Sequence, residues 1–347
     1  MNNQGQLLFT QSQIATLAKV DKSTIHRKVT VEKIEAVSQS ASSNSKKYSL
    51  EETQRILRTC RRGDIPTKKI HVFYNFKGGT GKSSLSSQVA YHLAILGFKV
   101  LAVDLDPQAH MTFNLGFVQE TDFLTMADVL INGREVSEVI SPLMPGLDII
   151  PASLKLTRIE VPLTQKNRRE ELLDRVLSPL SEDYDFIIVD TNPTISILNV
   201  NALVAADQIN VVCATHPLSY HGLGILIEDL KSLFTDLEKD LNFRIIPNLY
   251  EAKTVTAQEI LGALRSEYGK NVVENVIRKS EDINLATKNG LPLCAFAKKS
   301  SSGLEDILDL TYEIIKHSCG TKKENFKGMK KQRMGKNSNV HTDAHIN

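Results

Sequence analysis

The stretch Lys77-Gly78-Gly79-Thr80-Gly81-Lys82-Ser83-Ser84 comes two residues after the apolar run Ile70-His71-Val72-Phe73-Tyr74. Such a run reads as a buried strand, and Leu85, Val89, Leu93 and Leu96 then mark a helix that stops at Gly97. The glycine loop therefore joins a strand to a helix. Backbone N–H groups at a helix start of this kind converge on one point and form an anion cradle. Gly78, Gly79 and Gly81 free the backbone for left-handed dihedrals and for close approach to phosphate oxygens. Lys82 adds a point charge for the β- and γ-phosphates, and Ser83 adds a hydroxyl for Mg²⁺. The whole segment, with Thr80 and Ser84 included, is the expected binding site of a nucleoside triphosphate.

Working outward, Lys99-Val100-Leu101-Ala102-Val103 reads as a second buried strand, and it ends in Asp104-Leu105-Asp106-Pro107-Gln108. Residues i and i+2 of a strand share a face, so Asp104 and Asp106 are expected together at the carboxyl edge, where open parallel sheets place their ligands. Tyr184-Asp185-Phe186-Ile187-Ile188-Val189-Asp190 is a third apolar strand ending in an acid, a Walker B profile. A phosphate-bound Mg²⁺ needs outer-shell acceptors, a role expected of Asp104 and Asp190 around a first contact from Ser83. Any one of these pairs is also what a solvated strand end or a helix cap looks like. Three in this order point to one site.

The loop departs from the ordinary Walker A pattern in having Phe76 where a glycine is usual and a lysine, Lys77, where a neutral residue suffices. That is the mark of the deviant Walker A ATPases, and over about residues 70 to 318 the chain resembles the ParA family of partition ATPases. The likeness runs through Val103 to Gln108, Tyr184 to Asp190, Asn201-Ala202-Leu203, Ile277-Arg278-Lys279, Ala286, Gly290-Leu291-Pro292 and Ser301-Ser302-Gly303. The resemblance implies that Lys77 reaches the phosphates of a partner subunit, that Lys82 binds phosphate, that Ser83 holds Mg²⁺ and that Asp106 is needed for hydrolysis. Lys77, Lys82 and Asp106 are thus the expected catalytic residues. One departure concerns the site itself: Asp190 is followed by Thr191-Asn192-Pro193, where the family has one residue and then two prolines. An altered loop or rate is expected there.

The first 70 residues read differently. Ile14-Ala15, Lys19-Val20-Asp21 and Thr24-Ile25-His26-Arg27 have helix-turn-helix spacing, with Ser12 as cap, with Ile14, Ala15 and Leu17 inward, and with Val20 and Ile25 locking the second helix. Lys19 stands where the turn usually has glycine. The outer face would show Lys22, Ser23, His26, Arg27 and Lys28, donors suited to phosphates and base edges. Ser49 and Glu52 form a capping box that opens a further helix, and the serine-rich stretch from Ser38 to Lys47 reads as a loop or wing. A helical appendage that supports dimerisation without touching DNA fits the same spacing. Charge favours DNA: residues 1 to 70 hold 13 Lys/Arg against 6 Asp/Glu. The arrangement resembles the longer partition ATPases whose N-terminal domain binds their own operator.

The overall charge of +2 conceals this asymmetry, because residues 316 to 347 are also basic, with 8 Lys/Arg against 2 Asp/Glu. That tail lacks apolar periodicity and is expected to be disordered, either adding DNA affinity or simply remaining solvated. It has no apolar face for a membrane. At 347 residues and 41% hydrophobic content, the chain has room for about two domains with a substantial core in the larger. The expected boundaries are 1–67 for the helix-turn-helix domain, 68–318 for the ATPase and 319–347 for the tail. No eighteen-residue apolar run and no signal pattern occurs, so a cytoplasmic protein is expected, and the family resemblance implies association with the nucleoid. Cys60, Cys213, Cys294 and Cys319 lack metal or redox spacing, and none lies between Asp106 and Asp190, where an iron-sulfur relative has cluster ligands.

Further apolar runs at Ile209–Cys213 and Phe243–Ile246, each followed by a helical stretch, complete an alternation that predicts a mostly parallel α/β sheet with helices on both faces. Asn248 is placed either to meet an adenine ring or simply to make a turn after Pro247. The functional expectation is an ATP- and Mg²⁺-dependent partition ATPase. The resemblance implies that its ATP-bound homodimer binds DNA without sequence preference, with Lys279 expected on that surface, and that a ParB-type centromere-binding partner stimulates hydrolysis. The likeness to the longer partition ATPases implies autoregulation through the N-terminal domain. The alternative is a transcriptional repressor with nucleotide-regulated DNA binding.

Overall fold

The computed structural model describes residues 7–39, 45–61, 65–118 and 123–319. The N-terminal module comprises β1 (Phe9–Thr10), α1 (Gln11–Leu17), α2 (Lys22–Val31), β2 (Ser38–Gln39), β3 (Lys46–Tyr48) and α3 (Leu50–Cys60). The ATPase body follows as β4 (Ile70–Tyr74), α4 (Lys82–Ile95), β5 (Val100–Asp104), α5 (His110–Asn114), α6 (Met126–Leu130), β6 (Ser141–Met144), β7 (Leu147–Ile150), α7 (Glu160–Thr164) and α8 (Leu172–Leu180). It continues through β8 (Phe186–Asp190), α9 (Ile197–Ala205), β9 (Gln208–Ala214), α10 (Pro217–Asp236), β10 (Phe243–Asn248), α11 (Val255–Tyr268), α12 (Glu281–Asn289) and α13 (Ser302–Ser318).

The body is built on a seven-stranded sheet in the order β10-β9-β4-β8-β5-β7-β6, parallel except for the antiparallel edge strand β6. Period-two alternation sends the two faces of each strand into two separate cores. Val100 and Ala102 of β5 and Phe186 and Ile188 of β8 enter one; Leu101, Val103, Ile187 and Val189 enter the other. Strands buried on both faces must be apolar throughout, which is why the runs legible in the sequence were the parallel strands. The α/β fold expected from the sequence is the one observed. The hairpin of β6 and β7 was not foreseen, since Pro142 and a polar start make Ser141–Met144 a poor strand by composition.

The N-terminal module lies on the same side of the sheet as α4 and α13 and shares their core: Phe9, Ile14, Leu17, Ile25, Tyr48 and Leu57 pack continuously with Leu93, Phe98 and Ile315. The boundary between the module and the body is therefore a packed seam. Gln54 Nε2 donates to Ala94 O (2.9 Å) and Pro145 O (2.6 Å), Arg58 Nε donates to Gly97 O (3.1 Å), and the Tyr312 hydroxyl donates to Leu17 O (2.8 Å).

Within the module the capping box at Ser49 and Glu52 is present. The cap of α1 is Thr10, which forms its own capping box with Gln13; Ser12 lies inside the first turn. Ile25 is buried as expected, but Val20 is exposed at the turn. Lys19 takes the left-handed conformation (φ 50°) where glycine is commoner, and its ammonium pairs with Asp309 and lies 4.9 Å from the centre of the Tyr312 ring. After α2, β2 and β3 join β1 in a small antiparallel sheet ordered β1-β3-β2; residues 40–44 of the expected loop or wing lie outside the described residues. The tail beyond Cys319 also lies outside the described residues. Cys60, Cys213, Cys294 and Cys319 form no disulfide with one another.

Candidate nucleotide site

The glycine loop leaves β4, the strand at which the chain order of the sheet diverges, with β9 on one side and β8 on the other. Clefts at such a divergence are where open parallel sheets bind ligands. Asn75 sets the start of the loop: its Nδ2 donates to Val212 O (2.8 Å), and its Oδ1 accepts from the Lys77 N–H (2.8 Å). The loop ends at Gly81, the N-cap of α4, at φ 89°. A Cβ on Gly81 would stand 2.3 Å from Asn248 Nδ2, so glycine is required there by backbone conformation and by space. A Cβ on Gly78 would meet nothing within 4 Å, so the packing sets no such demand on that position.

No side chain caps α4, and its first turn carries no acid. Its N-terminal N–H groups are left to an anion, as in a phosphate cradle. Lys82 is buried, with Nζ 3.5 Å from Lys77 O. Burial pushes its pKa down, against the pull of Asp190 and Asp106. Thr80 is buried with its hydroxyl unpartnered among the described residues. The cleft beside the loop measures ≈ 520 Å³, and its wall includes Lys77, Thr80, Thr215, Leu249, Glu251 and Lys279, a size suited to a nucleotide.

The three carboxylates divide their work in a way the sequence did not reveal. Asp104 ends β5 fully engaged: Oδ1 accepts from the Asp106 N–H (3.0 Å), and Oδ2 accepts from the Thr112 N–H (2.8 Å) and hydroxyl (2.7 Å). Burial raises its pKa to about 6, with Thr112 opposing. Asp104 thus shapes the start of the loop carrying Asp106. Asp190 is the reverse. Both its oxygens are buried without a hydrogen bond among the described residues, although the Ser83 hydroxyl lies near enough to favour the anion. Burial first, and then Asp104, push its pKa up to about 8. A buried carboxylate with empty lone pairs, aimed at the serine that opens the helix, suits the hydrated shell of a hard cation. Among the described residues no three His, Cys, Asp or Glu side chains are grouped to hold a metal unaided. Such a cation would take phosphate oxygens and Ser83 first, with Asp190 behind them. Asp106 accepts from the Gln108 N–H (2.9 Å) and has His110 at 3.9 Å.

Asn248, the last residue of β10, donates to Thr80 O (2.7 Å). It is not a turn residue beyond the strand; its amide nitrogen ties the glycine loop to the sheet. Asn75, Thr112 and the tie made by Asn248 were not foreseen. A polar residue at the end of an apolar strand is the available signal for the first and last.

The candidate DNA residues fall in two places. Lys22, Ser23, His26 and Arg27 are exposed on α2. Lys28 is not free, since its ammonium donates to Thr59 O at the end of α3. Lys279 lies at the nucleotide cleft, paired with Glu251 at 3.0 Å.

A family model described as "AAA domain" matches residues 68–243. The chain is 37% identical over 246 residues to the cell division protein PomZ of Myxococcus xanthus, covering 70% of this chain and 77% of PomZ. It is 30% identical over 249 residues to the chromosome-partitioning ATPase Soj of Treponema pallidum, covering 71% of this chain and 97% of Soj. The chain belongs to the ParA family of partition ATPases. The ParA fold is also that of a putative plasmid partition protein from Borrelia burgdorferi bound to AMPPNP (TM-score 0.62, 22% identity, 72% of this chain and 100% of that one). The family match begins at residue 68, so the N-terminal module is additional to it. Among the described residues no helix is long and apolar enough to cross a membrane.

Proposed function

We propose that this ParA-family chain is a DNA partition ATPase whose ATP- and Mg²⁺-bound homodimer holds DNA without sequence preference and releases it on hydrolysis. The observation that carries this reading is one glycine cradle flanked by two lysines, Lys82 buried behind it and Lys77 on its rim, with Asp106 two strands away. Lys82 and the N–H groups of α4 neutralise the phosphates; Ser83 and Asp190 would hold a Mg²⁺ ion, which when bound would supply charge neutralisation at the phosphoryl group; Asp106 orients the attacking water. Lys77 reaches the partner subunit's nucleotide. A ParB-type protein bound at a centromere stimulates turnover. The module of residues 1–67, with Lys22, Ser23, His26 and Arg27 outward on α2, engages operator DNA and gives the chain its autoregulation, in a nucleoid-associated cytoplasmic protein.

Binding to non-specific duplex is measured with ATP, with ADP and without nucleotide at one salt concentration, since phosphate contacts are salt-dependent. The expected result is tight binding with ATP alone, lost in Lys77→Gln and prolonged in Asp106→Ala. Equal binding in all three states would mean that the DNA contact lies in the N-terminal module or the basic tail alone and would favour a repressor. The 37% identity to a cell division protein supports a second reading, in which the same cycle positions a division-site cargo. Deletion in the host separates the two, by loss of a replicon or by misplaced division.

A further inference from the structure

The loop after Asp190 is where the sequence leaves the family pattern of two consecutive prolines, and there the structure has a compact hydrogen-bonded knot. Asn192 is buried, and its Oδ1 accepts from the Thr194 N–H (3.2 Å), the Thr194 hydroxyl (2.5 Å) and Asn199 Nδ2 (2.8 Å). Asn199, in the first turn of α9, also donates to Asn192 O (3.0 Å) and Thr194 O (2.6 Å). Three oxygens surround one amide nitrogen, so the side chain can stand in this orientation only. Its Oδ1 is buried and unpartnered among the described residues. The other end of the loop is pinned where Thr191 Oγ1 donates to Phe73 O (2.7 Å), on the strand that leads into the phosphate cradle.

Position gives the knot its consequence. β8 lies between β4, which carries the cradle, and β5, which carries Asp106, so this loop leaves the sheet between the phosphate site and the hydrolytic carboxylate. Two prolines would stiffen such a loop by fixing φ and removing unfolded conformers. Single residues with free φ cannot, and side-chain hydrogen bonds to the backbone can take over that task. We propose that Asn192 and Asn199 are positioning residues for ATP hydrolysis, holding by a side-chain knot the loop that the family otherwise holds with a proline pair. The proposal rests on the ATPase reading above. Neither side chain need touch the nucleotide; each acts through the shape of residues 191 to 196.

The test uses the full-length protein in four variants: Asn199→Ala, Asn192→Ala, Asn192→Pro, and Asn192→Pro with Asn199→Ala. Among the described residues the Asn192 N–H makes no hydrogen bond, so proline removes none there. Turnover is measured against ATP concentration, and hydrogen exchange is followed over residues 191 to 196. Asn199→Ala and Asn192→Ala are expected to lower kcat about tenfold with KM within about twofold, the signature of an interaction used in the transition state. Their loop amides should exchange faster. Asn192→Pro should keep wild-type turnover, and in its background Asn199→Ala should cost little, because the prolyl pair then holds the loop. A double variant as slow as Asn199→Ala would overturn the proposal, and so would unchanged exchange in the single alanine variants. If the wild type fails to turn over ATP, the ATPase reading falls, while the exchange series still decides whether the knot orders the loop.

Discussion

The two ends of α4 are held by opposite means. At the N-terminal end Gly81 caps the helix in a left-handed conformation with no side-chain cap and no acid in the first turn. At the C-terminal end the carbonyls are claimed: Ala94 O accepts from Gln54, and Gly97 O from Arg58 and Arg61 (3.3 Å). The macrodipole favours an anion at the first end and cations at the second. The helix keeps open the end that meets phosphate and closes the end that meets the N-terminal module, so the nucleotide site and the candidate operator-binding module are joined through one rigid element. Residues that break this comparison should separate nucleotide binding from attachment of the module.

The largest effect is expected at the open end. Gly81→Ala forces an alanine into φ 89° and drives its Cβ onto the Asn248 amide, which must then release Thr80 O. Left-handed strain and lost loop geometry together should weaken ATP binding on the order of 100-fold, about 3 kcal/mol, measured by calorimetry. Gly78→Ala, where a Cβ meets nothing, is expected to lose far less. Equal losses at the two positions would show that close approach to phosphate, and not the tie to Asn248, decides the loop.

The same end should carry a pH signature. An aspartate in the unfolded chain titrates near about 4, whereas Asp190 in the native state is pushed up to about 8. Between those values the native protein holds a proton that the unfolded chain has lost, so nucleotide-free stability should fall as pH rises from about 5 to about 8. Thermal unfolding should show the decline, and Asp190→Asn should flatten it. Asp104 adds to the slope only up to about 6. A midpoint that rises over this range would mean that Asp190 is already ionised, stabilised by Lys82.

At the closed end, Gln54→Ala with Arg58→Ala removes donors to Ala94, Pro145 and Gly97. Three lost hydrogen bonds amount to about 3 kcal/mol of docking. Hydrogen exchange in α1 to α3 should accelerate, while the dissociation constant for ATP stays within about twofold. A large change in that constant would show that the closed end tunes the open one.

What the sequence made legible was local. A strand, a glycine loop and a helix lie within thirty residues, and a continuous apolar run that ends in an acid announces itself. The division of labour between Asp104 and Asp190 was not legible, because it depends on Thr112 folding back onto Asp104 from eight residues away. The seam was further from reach: Gln54 meets Ala94 across 40 residues and Tyr312 meets Leu17 across 295. Lys28 belongs to the same class, since its place on α2 suggested an outward donor until α3 packed beside it and offered Thr59 O. The departure at Asn192 was visible, but its partner Asn199 was not, since an asparagine in the first turn of a helix looks like any other polar residue there.

The smallest effect tests whether α3 depends on its own start or on what it grips. Ser49 accepts from the Glu52 N–H (3.2 Å) and Glu52 reaches back to the Ser49 N–H (2.8 Å), which satisfies two otherwise orphaned donors. Ser49→Ala removes one of those bonds and should cost about 1 kcal/mol. If α3 were an independent helix, that loss would appear as fraying of its first turn alone. Because Ile56 and Leu57 are buried in the shared core and Gln54 is fastened to α4, the turns beyond Gln54 should stay protected from exchange in this variant. Loosening of the whole helix would mean that the cap, and not the seam, keeps the module in place, and the contrast between the two ends of α4 would then belong to α3.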